Sequence, residues 1–394
     1  MDITKDVCWI GDTGFDGGGS ASLGIYFHKI FKMPLYFKGT NQLIDTVTMY
    51  NTYDELYSLL KEQRPKVIIL FPDISSKVIS TKHYKLGNVV NTIKSEFESK
   101  LVLIDCTRKG NNLKDQTVEG IQKLGDCFDI DEIWSINEIN RERYKDICKD
   151  YKCLDINLYC SENVQLTDRE RTIGYPTRFV AMKGIMRLLN SMQRQPTEIP
   201  YVYLGNDHTV KALKEKGTVG GPMQVVQMFS NYPTNKIPKD CFSMKCSADE
   251  PIIEDKINIY PRYNVDDKLK VFSKIGVAIC PSLAKEYSEN NKKDNSYIEK
   301  NKKYWYHAME YVNYELINYG IPVMFSRDYC NTYDETMIEE FPELVYDNLE
   351  DCLQYVQENY DKLQESAYKQ KAWLERKLDT LKSIIESELE RLGE

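Results

Sequence analysis

YWYHAMEYVNYELINYGIPVMF, residues Tyr304–Phe325, reads as a helix that runs directly into a strand. Trp305, Met309, Val312 and Leu316 recur at three- and four-residue steps, which places them on one apolar helical face. Gly320 stands where a helix stop is expected, and Pro322 follows it. Ile321–Phe325 is then a short buried strand. Within the unit, Glu315 opens the pattern E-L-x-x-x-G-x-P-V, completed by Gly320, Pro322 and Val323. An ordinary amphipathic helix entering a strand has the same outline, so the rest of the chain must decide what the pattern means.

Working outward, the same alternation recurs. Before Tyr304 the sequence predicts a strand at Thr172–Tyr175, a helix over Val180–Gln193 and a strand at Tyr201–Gly205. An irregular stretch to about Asp255 leads to a strand at Ile257–Tyr260, a helix over Val265–Lys274 and a strand at Val277–Cys280. Nearer the N-terminus, strands are expected at Val7–Gly11, Pro34–Gly39, Val67–Phe71, Leu101–Asp105 and Glu132–Ile136. Helices are expected over Ala21–Phe31 and near 53–63, 89–99 and 115–125. Short apolar strands alternating with helices predict an α/β chain with doubly wound parallel sheets. Arg141–Lys152 reads as a charge-rich, solvated helix. Ser161–Glu170 reads as a linker, and the chain is helical from Asn348 to its end. The expected division is therefore 1–165, 166–347, and terminal helices over 348–394.

With 394 residues the chain has room for two domains, each with its own core. Its longest apolar runs are far too short to span a bilayer, so no membrane partner is expected. MDITKDVCWIG lacks the charged-then-apolar layout of a secretory signal. The 11 cysteines contain no C-x-x-C pair, which indicates neither a disulfide framework nor a zinc ribbon, and a reducing cytoplasmic setting is expected. A net charge of −8 is not the footprint of a surface coated in phosphate contacts, so any nucleic-acid binding must use a local patch.

Chemistry-bearing residues gather where strands end. Gly17, Gly18 and Gly19 follow the first strand and precede a helix, a layout that lets backbone N–H groups approach a phosphate or sugar. The dinucleotide fingerprint G-x-G-x-x-G is absent and no acidic residue closes Pro34–Gly39, which argues against a dehydrogenase. Asp105 leads LVLID into a basic loop with Arg108 and Lys109, although a loop carboxylate capping a backbone amide has the same look. Arg178 and Lys183 keep an R-x4-K-G spacing after TIGYP. Arg offers a planar fork and Lys a compact charge, a pairing suited to a diphosphate. Tyr201–Asn206, YVYLGN, ends a strand at Gly205 and Asn206, and VAICPSL places Ser282 just beyond another.

Taken with E-L-x-x-x-G-x-P-V, these elements resemble the nucleotide-binding half of GT-B glycosyltransferases. More narrowly, GFDGGGSASL, IGYPTRFVAMKG, YLGN and the region Ile259–Phe325 resemble the DNA α-glucosyltransferase family of T-even bacteriophages. The resemblance implies two Rossmann-like domains facing a central cleft, with the C-terminal helices crossing back to the N-terminal domain. It implies a retaining hexosyltransferase that moves glucose or a related sugar from a UDP-sugar to a 5-hydroxymethylated pyrimidine in duplex DNA. Glu315 takes the place of the ribose-binding glutamate, and Glu310, five residues earlier, that of the helix glutamate before it. Gly17, Gly18, Gly19, Gly205, Asn206 and Ser282 are assigned to the donor, and Arg108, Lys109 and Lys114 to DNA. Asp105 aligns across a short gap with the family's catalytic aspartate, while His307 stands where GT-B enzymes at large carry their earlier glutamate.

No paired carboxylate of the retaining-glycosidase kind is visible. The expected mechanism is front-face transfer, with Arg178 and Lys183 on the diphosphate and Asp105 near the anomeric carbon. No tightly bound cofactor and no metal site are expected, a divalent cation acting at most as a stimulant, and the enzyme is expected to be a monomer. The competing reading is a GT-B transferase with a carbohydrate or lipid acceptor in envelope glycan synthesis.

Overall fold

The computed structural model describes residues 1–11, 19–39, 46–71, 81–105, 118–136, 138, 141–156, 166–178, 191, 198–199, 201–206, 252–254, 257–260, 268–280, 311–326 and 335–394. The chain forms two compact units, Met1–Ser161 with Arg376–Glu394 (unit 1) and Glu162–Glu375 (unit 2).

Unit 1 opens with a short helix α1 (Ile3–Asp6) and continues as β1 (Val7–Gly11), α2 (Gly19–Phe31), β2 (Leu35–Lys38), β3 (Thr48–Tyr50), α3 (Tyr53–Gln63) and β4 (Val67–Phe71). It continues through α4 (Thr81–Phe97), β5 (Lys100–Asp105), α5 (Val118–Cys127), β6 (Glu132–Ser135), α6 (Arg141–Tyr144) and β7 (Asp150–Cys153). The strands order as β3-β2-β1-β4-β5-β6-β7, every pair parallel. A parallel sheet is covered on both faces, which is why VIILF and LVLI are unbroken apolar runs. Val67–Leu70 and Leu101–Ile104 are all fully buried.

Unit 2 contains β8 (Ile173–Arg178), β9 (Tyr201–Asn206), β10 (Ile252–Glu254), β11 (Ile257–Tyr260), α7 (Lys268–Phe272) and β12 (Val277–Cys280). After these come α8 (Tyr311–Asn318), β13 (Val323–Ser326), α9 (Glu335–Glu340), β14 (Val345–Tyr346) and α10 (Leu349–Gly393). Its order is β10-β11-β9-β8-β12-β13-β14, parallel except for the β10–β11 pair. Helix α10 carries one non-helical residue, Asn359, and its residues from Arg376 onward belong to unit 1.

Both sheets therefore have Rossmann-like order, and in each the winding reverses once, between β1 and β4 in unit 1 and between β8 and β12 in unit 2. Ligands of doubly wound sheets bind beyond the carboxyl ends of the strands at such a reversal. The glycine loop follows β1, and Arg178 ends β8.

Several local expectations are revised. Arg141–Lys152 is not one helix: α6 stops at Tyr144, and β7 adds an edge strand paired to β6. Its charge obscured the buried residues Tyr144, Cys148 and Tyr151 that fix this segment against the sheet. The strand expected at Thr172–Tyr175 runs on to Arg178 through Pro176. Proline is tolerated there because β12 pairs with β8 only at Ile173 and Gly174, so the missing N–H leaves no rung empty on that side. The strand expected from Ile321 starts at Val323, because Ile321 completes the cap of α8. Strands β3, β10 and β14, three residues or fewer, lie at or beside sheet edges, too short to carry a periodic signal.

The end of α10 is fastened to unit 1 by charge. Glu132, 1% exposed, accepts from Trp134 Nε1 at 2.7 Å and pairs with Arg391, while Lys152 Nζ lies 3.8 Å away. Glu388 pairs with both cations, with Arg391 Nε at 2.8 Å. Burial opposes ionisation of Glu388, yet Lys152 and Arg391 outweigh it and hold its carboxyl below the usual value. Without Glu132, buried Trp134 Nε1 loses its acceptor, while Arg391 and Lys152 keep Glu388. We therefore expect Glu132→Ala to lower stability by about 1–3 kcal/mol. Urea unfolding checks this through a reduced midpoint at unchanged slope, and an unchanged midpoint would contradict it.

Candidate functional site

The carboxyl edge of the unit 2 sheet collects the sequence motifs. The β8–β9 register sets Thr177 opposite Gly205 and Arg178 opposite Asn206, so two adjacent strands end level with each other. Strand β12 ends at Cys280, and Pro281 and Ser282 continue from it. Strand β13, on the far side of β12, is entered from α8.

Helix α8 is stopped by backbone geometry. Ile321 N donates to Leu316 O at 2.9 Å and Gly320 N to Ile317 O at 2.9 Å, the paired bonds of a Schellman motif. Gly320 has φ 77°, the left-handed conformation that this motif requires at that position. Pro322 cannot continue the helix, and its carbonyl accepts from Ala278 N at 2.9 Å, joining the turn to β12.

The helix is buried on every side from Asn313 to Asn318, where an apolar sequence would be expected. It nevertheless carries Asn313 (0% exposed), Glu315 (3%) and Asn318 (4%). Buried polar groups persist where partners compensate their lost hydration, and for Asn313 two of them are plain. Tyr175 Oη donates to Asn313 Oδ1 at 2.7 Å, and Asn313 Nδ2 donates to Cys280 Sγ at 3.4 Å. Tyr175 Oη and Cys280 Sγ are 3.3 Å apart. These three residues come from β8, β12 and α8. Sequence reading missed them because Tyr175 and Cys280 pass as apolar strand residues and Asn313 as a helical filler. The available signal was that each sits inside a stretch already singled out: IGYPTR, VAICPSL or VNYEL.

In unit 1, Asp105 ends β5 and is 1% exposed. Ser135, its register partner on β6, donates from Oγ to Asp105 Oδ2 at 3.3 Å. Tyr151 of β7 also hydrogen-bonds Ser135, and burial pushes its phenol far up, so it remains a neutral hydroxyl. A carboxylate and a hydroxyl at the carboxyl ends of β5 and β6 and a phenol nearer the start of β7 are thus linked across three adjacent strands. Ser135 and Tyr151 were missed because a loop carboxylate alone does not reveal which neighbouring strands support it.

Among the predicted site residues, Arg178, Gly205, Asn206 and Glu315 lie in unit 2, and Gly19 and Asp105 in unit 1. Gly17, Gly18, Lys183, Ser282, Glu310, Arg108, Lys109 and Lys114 lie outside the described residues, as do His307 and the apolar Trp305 and Met309. Among the described residues no group of three or more His, Cys, Asp or Glu is arranged to hold a metal ion, and no helix is long and apolar enough to cross a membrane.

No protein-family model and no curated protein matches the sequence. Solved structures do match its fold. HepE of Anabaena in complex with UDP is 11% identical, with a TM-score of 0.57, 98% of this chain and 100% of HepE being covered. An alpha-glucosyltransferase in complex with UDP and a 13-mer DNA with a central A:G mismatch is 13% identical, at a TM-score of 0.52, with 92% and 93% covered. The same kind of enzyme with UDP and a 13-mer DNA containing an HMU base gives 13% identity and a TM-score of 0.53, with 96% and 99% covered. At this identity the likeness concerns the fold, and the fold is GT-B: two Rossmann-like domains in one α/β chain.

Because the stop of α8 needs a left-handed residue at Gly320, we expect Gly320→Ala to cost about 1–2 kcal/mol. A lowered denaturation midpoint would register it, and a variant as stable as the parent would show that the turn relaxes without glycine.

Proposed function

We propose that this protein is a retaining glycosyltransferase that moves glucose, or a related hexose, from a UDP-sugar to a 5-hydroxymethylated pyrimidine in duplex DNA. The main support is one coincidence. In a fold with solved examples that hold UDP, the adjacent strands β8 and β9 end at Arg178 and Asn206, and the helix of Glu315 is hydrogen-bonded to the first of them. The solved enzymes also include one with UDP-glucose and one with DNA carrying an HMU base.

In this reading Glu315 accepts from the ribose hydroxyls and Glu310 supports the donor from the preceding turn. Gly205, Asn206 and Ser282 border the nucleotide, and the backbone at Gly17, Gly18 and Gly19 approaches the sugar. Arg178 and Lys183 face the diphosphate. As the glycosidic bond to phosphate breaks, negative charge grows on the leaving oxygen, and fixed cations stabilise it there in place of a metal. The departing phosphate oxygen takes the proton of the acceptor hydroxyl. That hydroxyl oxygen bonds the anomeric carbon on the face just vacated, so configuration is retained. Asp105, held by Ser135, is the polar group at the anomeric centre. The chain acts as a monomer in the cytoplasm, and a divalent cation assists at most the release of UDP.

The acceptor base must leave the stack to bring its 5-substituent to the donor. Arg108, Lys109 and Lys114 form the local patch that holds the DNA backbone. The net charge of −8 favours a second reading, a carbohydrate or lipid acceptor, and the two are separable. We expect labelled glucose to pass from UDP-glucose to hydroxymethylated duplex DNA and to no unmodified duplex. Transfer to a glycan with none to DNA would establish the second reading instead. Each phosphate contact contributes about −0.9 to the log–log salt slope. Replacing Arg108, Lys109 and Lys114 by Ala should flatten that slope and slow transfer to DNA, leaving donor hydrolysis by water in place.

A charged hydrogen bond contributes about 1.5–3 kcal/mol, so Glu315→Ala should weaken UDP binding roughly ten- to hundredfold. Calorimetry on the folded variant checks this, and an unchanged UDP affinity would remove Glu315 from the donor site.

A further inference from the structure

The buried trio of unit 2 sits where the three motif-bearing elements meet. A phenol carries one proton, and the 2.7 Å contact from Tyr175 to Asn313 Oδ1 takes it. Asn313 Nδ2 closes the circuit onto Cys280 Sγ at 3.4 Å. Tyr175 donates to Asn313 and Asn313 to Cys280, and the 3.3 Å contact of Tyr175 Oη with Cys280 Sγ closes a ring of three polar groups. All three residues are 0% exposed, apart from any solvent that could substitute for a lost partner.

Each corner is a short step from a donor-site residue. Tyr175 lies three residues before Arg178 on β8, Cys280 two before Ser282, and Asn313 two before Glu315 on α8. Apolar contacts between a helix and a sheet tolerate sliding, because they are non-directional. Hydrogen bonds of fixed length and angle do not. Buried polar groups of this kind can fix one arrangement among several of similar stability.

We propose that the Tyr175–Asn313–Cys280 ring is the positioning device of the donor site, locking α8 in a single register against β8 and β12. It rests on the donor-site reading given above. Tyr175, Asn313 and Cys280 are positioning residues: they set where Glu315 stands relative to β8 and β12 and do not themselves touch the nucleotide. No apolar trio of the same volume would perform this task.

The proposal separates stability from register. Tyr175→Phe and Asn313→Leu each break the 2.7 Å bond of the ring from one end, and should lower both the melting temperature and the affinity for UDP. The double variant Tyr175→Phe/Asn313→Leu removes both members of that bond together, and the ring's remaining thiol is at ease in apolar surroundings. Its melting temperature should return towards that of the parent, while UDP binding by calorimetry stays at least tenfold weaker. Recovery of affinity together with melting temperature would overturn the proposal, since the ring would then be a structural contact only. So would parental UDP affinity in Tyr175→Phe, the single variant that decides the matter if the double one does not fold. Failure of the unmutated protein to bind UDP is a different result: it removes the donor-site reading itself, and the ring's role with it.

Discussion

The placement of α8 on the unit 2 sheet depends on how that helix is stopped at the amino ends of β12 and β13. A parallel sheet returns each strand through a crossover, so the place where the crossover helix ends sets where the next strand begins. Here Gly320 in the left-handed conformation ends the helix within one residue, and Pro322 turns the chain straight into β13. Val323 is then met by a side chain in place of a strand. Its N–H donates to Gln370 Oε1 at 2.9 Å and its carbonyl accepts from Gln370 Nε2 at 2.9 Å. β14 pairs β13 only from Phe325 onward, so fully buried Gln370 supplies the rung that the short edge strand does not reach.

The same logic governs the other buried polar groups. Glu132, Asp105 and the Tyr175–Asn313–Cys280 ring all lie on or against interior strands, where an unmatched polar atom would be expensive. Each is matched by groups distant in sequence: Glu132 by Arg391, Asp105 by Ser135, and Tyr175 by Asn313. Apolar burial gives each unit its core. The polar matches decide which strand, helix and register that core accepts. A functional site on strand ends needs this second level of definition, because displacement of a helix by one residue would move Glu315 by its full rise of about 1.5 Å.

Much of this was legible in the sequence, and for identifiable reasons. VIILF and LVLI announce strands buried on both faces, and the G-x-P pair after Glu315 announces a helix stop, so the two Rossmann-like sheets follow from local signals. Residues 277–280 and 257–260 form strands as expected. Asp105 was legible as a strand-end residue because a short apolar run leads straight into it. What the sequence hid was non-local. The charge of Arg141–Lys152 concealed an edge strand whose reason to exist is its pairing with β6. Ser135 and Tyr151 acquire meaning only once β5, β6 and β7 stand side by side. Asn313 looked like any helical polar residue until the helix proved buried on all sides.

The central claim is that α8 presents Glu315 to the ribose of a uridine nucleotide. A crystal structure of this protein grown with UDP tests it most directly. The account predicts UDP at the carboxyl ends of β8, β9 and β12, with the ribose hydroxyls within about 3 Å of the Glu315 carboxylate. UDP bound elsewhere, or bound there with Glu315 turned away from the ribose, would contradict it.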